Sequence, residues 1–439
     1  MNTPICDFVD RYAESGALRL HMPGHKGAGD AERSDITEIK GADSLYEADG
    51  IIAESERNAS ELFGCPTFYS TEGSSQCIRA MLYLAVCAGG SRRIIAGRNV
   101  HKAFISVAAL LDLEVEWLFD GKGSYLSCLP DADDIERAII SAPQKPSVVY
   151  LTSPDYLGNV ADIRSAAEVC HRHGVLLLVD NAHGAYLKFL AESRHPIDLG
   201  ADLCCDSAHK TLPVLTGGAY LHISPERAAL FSDKVKSALE LFGSTSPSYL
   251  ILQSLDRANA YLDGGYAERL AAFIPKANDL KARLCGHGFE LIGSEPLKLT
   301  VASKTYGYTG IELADLLRIS AIECEFADPD FLVMMLTPEL GDAELSRLES
   351  VLCAIHRKSP IASAPPKFIA PQKALSIRDA IFATSEELPV SQCEGRILAS
   401  LGVSCPPAVP IVVCGERIDR RAIERFAYYG ISVCRVVIE

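Results

Sequence analysis

The sequence lacks the features that would assign it to several broad classes of protein. It has no cluster of Lys and Arg, and its formal net charge is −15, so it has none of the basic surface that binds nucleic acids. No apolar run approaches the length of a membrane span. Asp7, Asp10 and Glu14 interrupt the N-terminal stretch where an export signal needs an apolar core. The sequence therefore predicts a cytoplasmic protein without a nucleic-acid or membrane partner.

Metal-ligand spacing is also missing. The 15 cysteines are scattered through apolar stretches, and the clusters ADLCCDS and VCHRHG have no second ligand pair at the spacing of a zinc site. In a reducing compartment, cysteines in such positions are small buried hydrophobic residues. We predict no metal site.

The order of apolar and helical segments indicates the fold class. Between about residues 60 and 225, short apolar runs such as SVVYLTS, GVLLLVDNA and GGAYLHI alternate with helical segments such as SSQCIRAMLYLAVCA. Strands that are apolar on both faces are typical of a mainly parallel sheet covered by helices. The pattern predicts an open α/β domain.

A chain of 439 residues is too long for one hydrophobic core. A smaller α+β pattern follows the α/β domain, and the Pro- and Ala-rich stretch KSPIASAPPKFIAPQ is typical of a linker. The predicted parts are an N-terminal segment (1–45), a large domain (46–258), a small α+β domain (259–357), a linker (358–372) and a short C-terminal domain (373–439).

Two loops after predicted strands carry polar residues, and ligands of open α/β sheets bind at the carboxyl ends of strands. Gly73, Ser74 and Ser75 open a helix, where backbone N–H groups, hydroxyls and the helix dipole suit a phosphate. Serine is also a common N-cap without any ligand. Asp180 ends the apolar strand LLLVD and is followed by NAHG. Its carboxylate is either a helix cap or the partner of a buried cation.

Two further loops carry a lysine and a histidine. Lys210 follows the next apolar strand after Asp180 and is flanked by Ser207 and His209. A lysine amine whose pKa is lowered becomes a nucleophile, chiefly for a Schiff base with an aldehyde. His101 follows the strand RIIAG, where a plain surface role is the simpler interpretation by itself. Together the four loops supply a phosphate cradle, a ring-stacking histidine, an acid and an amine, as pyridoxal phosphate requires.

The sequence resembles the bacterial ornithine/lysine/arginine decarboxylases, which are fold type I pyridoxal-phosphate enzymes. The matching stretches cover nearly the whole chain and include HMPGHKG (21–27), RNVHKA (98–103), TSPDYLG (152–158), VDNAHGAY (179–186), SAHKTLPVLTGGAYLH (207–222), STSPSY (244–249) and GYTGIEL (307–313). HMPGHKG together with SAHKTLP is highly specific. The resemblance implies a mainly parallel sheet of the seven-stranded type, in a compact member of the family that lacks the N-terminal wing domain.

The resemblance also implies roles for individual residues. Lys210 would form the Schiff base with the cofactor, and Asp180 would contact the pyridine nitrogen. His101 would stack on one face of the ring, with Ala182 packed on the other. The residues implied to hold the phosphate are Ser74, Ser75, Ser207 and His209, joined by Thr245 and Ser246 from the neighbouring subunit of a homodimer.

By the same resemblance, the substrate is a basic amino acid, namely arginine, lysine or ornithine, which is decarboxylated to an amine in polyamine metabolism. Another fold type I reaction, such as transamination or aldol cleavage, is an alternative. A non-catalytic homologue that acts as a regulator is another, although a binding protein has little need of the nucleophile Lys210. No Arg can be assigned to the substrate carboxylate as in aminotransferases, which favours decarboxylation.

The chain departs from the family pattern at positions that concern substrate choice more than the cofactor. Asn181 and Tyr186 depart from DEAHGAH, Asp155 and Leu157 depart from TSPTYYG, and Cys405, Ala408 and Val409 depart from YPPGIP. The candidate acids for holding the distal group of the substrate are Glu295, Glu325, Asp328 and Glu416. Each of these acids, taken singly, is most simply a solvated surface charge.

Overall fold

A computed structural model describes residues 1–119, 127–364, 366–404 and 410–438. Cys405, Ala408 and Val409 lie outside the described residues. The α-helices are α1 (Pro4–Glu14), α2 (Ile51–Phe63), α3 (Ser74–Gly89), α4 (Lys102–Leu110), α5 (Ala132–Ser141), α6 (Ile163–Arg172), α7 (Ala208–Thr211), α8 (Ala228–Glu240), α9 (Tyr249–Asp263), α10 (Tyr266–His287), α11 (Gly310–Ile319), α12 (Asp342–Ala354), α13 (Ile377–Phe382) and α14 (Arg420–Tyr428). Within these described ranges, no helix combines the length and the apolar character needed to cross a membrane.

The strands form one large sheet and three smaller ones. They are β1 (Thr67–Ser70), β2 (Arg93–Gly97), β3 (Glu114–Leu118), β4 (Val148–Thr152), β5 (Leu176–Asp180), β6 (Leu203–Asp206), β7 (Ala219–Ile223), β8 (Leu291–Ile292), β9 (Lys298–Ala302), β10 (Phe326–Ala327), β11 (Phe331–Met335), β12 (Ser385–Pro389), β13 (Gly402–Ser404), β14 (Pro410–Val413) and β15 (Val433–Val437). The smaller sheets have the orders β10-β11-β9-β8, β12-β15 and β13-β14.

The large sheet has seven strands in the order β1-β7-β6-β5-β4-β2-β3. The pairs β2–β3 and β5–β6 are parallel, whereas β7 is antiparallel to both of its neighbours, β1 and β6. Every residue of β6 and β7 is buried, which explains why these strands are apolar on both faces. The predicted fold class, a mainly parallel seven-stranded sheet with helices, is confirmed.

The chain divides into two compact units. The first contains residues 1–91, 147–150 and 163–268, and the second contains residues 92–146, 151–162 and 269–439. The second unit includes a hydrophobic cluster around Val412, Phe426 and Val436, with Leu157 and Val333 among its other members. This cluster gives the C-terminal strands and α14 a core.

Asp43 in the first unit organises the start of α2. Its carboxylate accepts five backbone N–H groups, those of Ser44, Asp49, Gly50, Ile52 and Ala53, at 2.9 to 3.3 Å. The first N–H groups of a helix have no acceptor within the helix, so this buried carboxylate supplies an acceptor for donors that would otherwise lack one.

Replacing Asp43 with Ala is expected to lower the free energy of unfolding by about 3 kcal/mol, because one buried donor, the N–H of Ile52, and four partly buried donors lose their acceptor. Urea unfolding of the two proteins measures the difference. The control is Asp49→Ala in the same loop, where the side chain is exposed and the expected change is below about 0.5 kcal/mol. Equal losses in both variants would contradict this role of Asp43.

Candidate active site

Lys210 lies on the single turn of helix α7, directly after β6. Its backbone N–H donates to the carbonyl of Ser207 at 3.0 Å, and its Nζ lies 3.1 Å from Nε2 of His183. A lysine ammonium can only donate, so His183 accepts through Nε2. The structure thus pairs the predicted nucleophile with a nearly buried histidine, which the sequence marked only as a neighbour of Asp180.

Asp180 is the last residue of β5 and is 2% exposed. Its Oδ1 accepts the N–H of Ala182 at 3.1 Å, and its Oδ2 accepts the hydroxyl of Tyr150 at 3.3 Å. Burial raises the pKa of Tyr150 well above its usual value, and the Asp180 carboxylate raises it further, so the phenol remains a donor. A buried, hydrogen-bonded carboxylate of this kind can stabilise a protonated ring nitrogen.

The start of α3 and the end of β6 meet at two serine hydroxyls. Ser207 Oγ donates to Ser74 Oγ at 2.8 Å. Gly73 is the N-cap, with a φ of +71°, and its N–H donates to the carbonyl of Gly217, whose φ is +101°. A Cβ on Gly217 would lie 2.8 Å from the carbonyl oxygen of Thr71, so only glycine fits there.

This arrangement suits an anion. Gly73 has no side chain with which to cap α3, a helix of 16 residues, so no N-cap side chain competes with an external acceptor at this helix start. Ser75 follows in the same turn. His209 donates from Nδ1 to the carbonyl of Gly218 at 3.0 Å, which fixes the orientation of its ring. The implied phosphate residues of these two loops therefore lie in one compact unit.

The other implied cofactor residues are placed as follows. Ala182 is buried in the turn after β5. Thr245 and Ser246 are exposed between α8 and α9. His101 belongs to the second unit, where its Nδ1 accepts the N–H of Ala103 and caps α4. The roles of these residues remain predictions.

The departure at Asp155 has a local explanation. Its carboxylate is buried and accepts the backbone N–H and the side-chain Nδ2 of Asn159 at 2.8 and 2.9 Å. Burial raises the pKa of Asp155. The buried Lys298 donates to the Asp155 carbonyl at 3.2 Å. Leu157 and Tyr186, two further departures, are buried as well, so all three positions contribute to packing.

Three of the four candidate distal acids are not solvated surface charges, so that expectation is wrong for them. Glu416 forms a two-pronged ion pair with Arg98, both N–O distances being 2.7 Å. Glu295 accepts the N–H of Leu297, and Asp328 is 2% exposed. In each case the fold buries the carboxylate with its own donors. Glu325 is exposed, as expected.

Asp328 carries a clear pH signature. Its Oδ1 accepts the N–H groups of Asp330 and Phe331, whereas its Oδ2 is buried and has no partner within the described residues. Burial raises the pKa of Asp328 from 3.8 to about 6. The folded state therefore binds this proton more tightly than the unfolded state. The stabilisation is complete below pH 3.8 and is lost as the pH rises to 6.

Asp328→Asn is expected to increase the free energy of unfolding at pH 7 relative to wild type by up to about 3 kcal/mol, which corresponds to a shift of about two pKa units. The gain should shrink between pH 6 and pH 4, because the wild-type carboxyl is then protonated. Urea unfolding at pH 4.5 and pH 7 tests this difference, with the exposed Asp315→Asn as control. A gain that does not depend on pH would rule out Asp328 as its source.

Comparisons with known proteins agree with this geometry. The family described as Orn/Lys/Arg decarboxylase, major domain, matches residues 3–295, and its C-terminal domain matches residues 357–432. An uncharacterized protein of Bacillus subtilis, YaaO, is 30% identical over 97% of this chain and 94% of its own. An arginine decarboxylase of the same organism is 30% identical over 96% of this chain and 92% of its own.

The fold has a solved counterpart. The lysine decarboxylase LdcF of Francisella novicida superposes with a TM-score of 0.82 and 16% identity, over 99% of this chain and 81% of that one. At this identity the likeness concerns the fold.

The residues of the site fit pyridoxal phosphate. The described residues of the first unit supply an amine at Lys210, a buried acid at Asp180, and a glycine-capped helix start with the Ser74–Ser207 pair. These are the groups that an aldehyde, a pyridine nitrogen and a phosphate require. The matches to the major and C-terminal domains of the Orn/Lys/Arg decarboxylases extend this agreement over most of the sequence. The chain therefore belongs to the Orn/Lys/Arg decarboxylase family and is a pyridoxal-phosphate-dependent amino-acid decarboxylase.

Proposed function

We propose that the chain decarboxylates a basic amino acid, with arginine as the first candidate, and that the amine product enters polyamine metabolism. The pairing of Lys210 with His183, in the same unit as the buried Asp180, supports the reaction class. Two relatives at 30% identity, one from Bacillus subtilis and one from Halalkalibacterium halodurans, are arginine decarboxylases, which supports arginine over lysine and ornithine.

Each residue has a chemical task in this proposal. Bound pyridoxal phosphate supplies an electron sink for the pair released when CO2 leaves. Lys210 supplies the amine for the cofactor aldehyde. Nε2 of His183 lies 3.1 Å from Nζ of Lys210 and can hold a proton that this amine releases. Asp180 keeps a proton on the ring nitrogen, which electrostatically favours the transition state. The start of α3, with Ser74 and Ser207, holds the phosphate.

The experiment that tests the proposal is CO2 release by the purified protein with pyridoxal phosphate, supplied separately with arginine, lysine and ornithine. We expect release from arginine to be fastest. Samples without cofactor and with Lys210→Ala serve as blanks. Formation of a keto acid in place of CO2 would support transamination, and no turnover of any of the three amino acids would contradict the proposed substrate class.

We also propose a cytoplasmic homodimer in which Thr245 and Ser246 complete the neighbouring phosphate site. Their exposure supports this arrangement. Mixing Lys210→Ala protein with an inactive Thr245 variant tests it, because hybrid dimers would contain one site with both intact residues. We expect partial recovery of CO2 release, and a mixture that stays as inactive as its parts would contradict a shared site.

A further inference from the structure

A cluster of four fully buried polar residues lies beside the candidate site. It consists of Asp206, Asn181, His195 and His222, each 0% exposed, and is called the Asp206 cluster below. Oδ1 of Asp206 accepts from Nδ2 of Asn181 at 2.6 Å, and its Oδ2 lies 3.1 Å from Nε2 of each histidine. One carboxylate is therefore the common acceptor of these three donors, and the Cys204 thiol donates to Oδ1 as well, at 3.8 Å.

The hydrogen bonds of His222 indicate a charged ring. Thr67 Oγ1 donates its proton to the carbonyl of Cys65 at 3.0 Å, so it can only accept from Nδ1 of His222, at 2.9 Å. Nε2 of the same ring faces the Asp206 carboxylate, which can also only accept. Burial lowers the pKa of His222, but Asp206, with a smaller contribution from Cys65, raises it by more in total, so the net shift is upward. His222 and Asp206 thus form a buried ion pair.

The chemistry of Asp206 agrees with this assignment. Burial alone would raise the pKa of Asp206, but the two imidazoles outweigh burial and hold it below its usual range. Phe63 packs against both histidines, with its ring centroid 4.5 Å from that of His222 and 5.7 Å from that of His195. Removing only one member of an ion pair in such apolar surroundings strongly destabilises the folded protein, because the other charge is left buried without a partner.

The Asp206 cluster joins the two strand ends that carry the site. Asp206 is the last residue of β6, immediately before Ser207, and Asn181 immediately follows Asp180 at the end of β5. These parallel strands are paired up to Asp180 and Cys205. The backbone N–H of Asn181 donates to the carbonyl of Cys205 at 2.9 Å. The side-chain bond between Asn181 and Asp206 then extends this connection beyond the ladder.

We propose that the Asp206 cluster positions the active site: a single carboxylate, shared by Asn181 and His222, fixes the strand end of Asp180 against the strand end of Lys210 and so determines how tightly the cofactor binds. The effect on turnover rests on the proposed function. This chain has Asn at position 181, where the family pattern has an acid. In this chain the carboxylate is instead that of Asp206, at the end of the neighbouring strand β6.

A metal ion is the competing explanation, since His195, Asp206 and His222 offer three ligand atoms within 4.8 Å of one another. A metal ligand needs a free lone pair on its imidazole nitrogen. Both ring nitrogens of His222 carry protons in the bonding pattern above, and Asp206 already has three donors. The geometry therefore points to imidazole N–H protons, not a metal ion, between the two histidines and the Asp206 carboxylate.

The test exchanges the carboxylate and the amide. Asp206→Asn removes the partner of His222, and Asn181→Asp places a second carboxylate against Asp206. The double variant restores one carboxylate. In it the amide at 206 can donate to the new carboxylate at 181, while its oxygen accepts from both imidazoles. Titration of the cofactor-free proteins with pyridoxal phosphate, followed by visible absorbance and thermal unfolding, measures cofactor affinity without any substrate.

Each single variant is expected to weaken cofactor binding by roughly tenfold or more, as supporting residues around a bound group typically do. The double variant should recover to within about threefold of wild type, because the two changes are coupled. If Asp206→Asn fails to fold, the same test is a comparison of the cofactor affinity of Asn181→Asp with that of the double variant, which should be higher. A double variant as weak as the singles would overturn the proposal.

Asp202→Asn is the matched control. Asp202 is equally buried but precedes β6, at the end away from Lys210, where it accepts from Leu177 N–H at 2.7 Å and Arg227 Nε at 2.6 Å. This variant should lose thermal stability while its cofactor affinity stays at the wild-type level. Equal weakening by Asp202→Asn, or a stoichiometric metal in the wild-type protein, would also overturn the proposal. Absence of CO2 release from protein that binds the cofactor normally would contradict the proposed function alone.

Discussion

Lys210→Ala protein is expected to lose decarboxylation by at least about 10³-fold, because no other group can replace a positioned nucleophile. The described contacts of Lys210 support this role: its Nζ lies 3.1 Å from His183. CO2 release measures the loss, and the visible absorbance of the bound cofactor should change with it.

Lys188→Ala is the control for Lys210. Lys188 lies in the same unit and pairs with Asp198 at 2.7 Å, an interaction worth at most about 1 kcal/mol near the surface. Its loss should leave turnover unchanged. Turnover of Lys210→Ala within a few-fold of wild type would exclude Lys210 as the nucleophile.

Asp180→Ala is expected to lower kcat on the order of 10²- to 10⁴-fold while the cofactor still binds to Lys210. The reason is electrostatic: without a carboxylate beside it, the ring nitrogen loses its proton and accepts electrons poorly. Steady-state CO2 release gives kcat, and absorbance with added cofactor shows whether binding persists.

Two variants separate the charge of Asp180 from its packing. Asp180→Asn keeps the shape and should be nearly as slow as Asp180→Ala. Tyr150→Phe removes only the phenol that donates to Asp180 at 3.3 Å, and it should have a much smaller effect. Near-normal kcat in Asp180→Asn would show that the charge at this strand end is not needed.

The sequence was sufficient to locate the main elements around the site. Apolar runs bounded by turn residues predicted β5 and β6, and Asp180 and Lys210 follow from the rule that ligands bind at the carboxyl ends of parallel strands. The helix after Gly73 also begins where its serines predict. These features are local in sequence, so a single chain reveals them.

The partners of these residues could not be predicted in the same way. His183 is 27 positions from Lys210, and their contact depends on the orientation of the one-turn helix α7. The Asp206 cluster needs the register of β7 against β6, which sets Cys204 opposite His222, and the short 3-10 segment Pro196–Leu199 that presents His195. Neither the register nor the orientation leaves a sequence pattern.

The order of synthesis imposes a delay on this site. Strand β1 is an edge strand, and its partner in the sheet is β7. Thr67 and His222 are 155 positions apart, so at 5 to 20 residues per second the ribosome needs roughly 8 to 30 s to supply the second strand. Until then the carbonyl of Gly217 that receives the N–H of Gly73 does not exist. Nascent chains that end before Gly217 lack this contact of the proposed phosphate site, so we expect cofactor loading to follow the emergence of β7 from the ribosome.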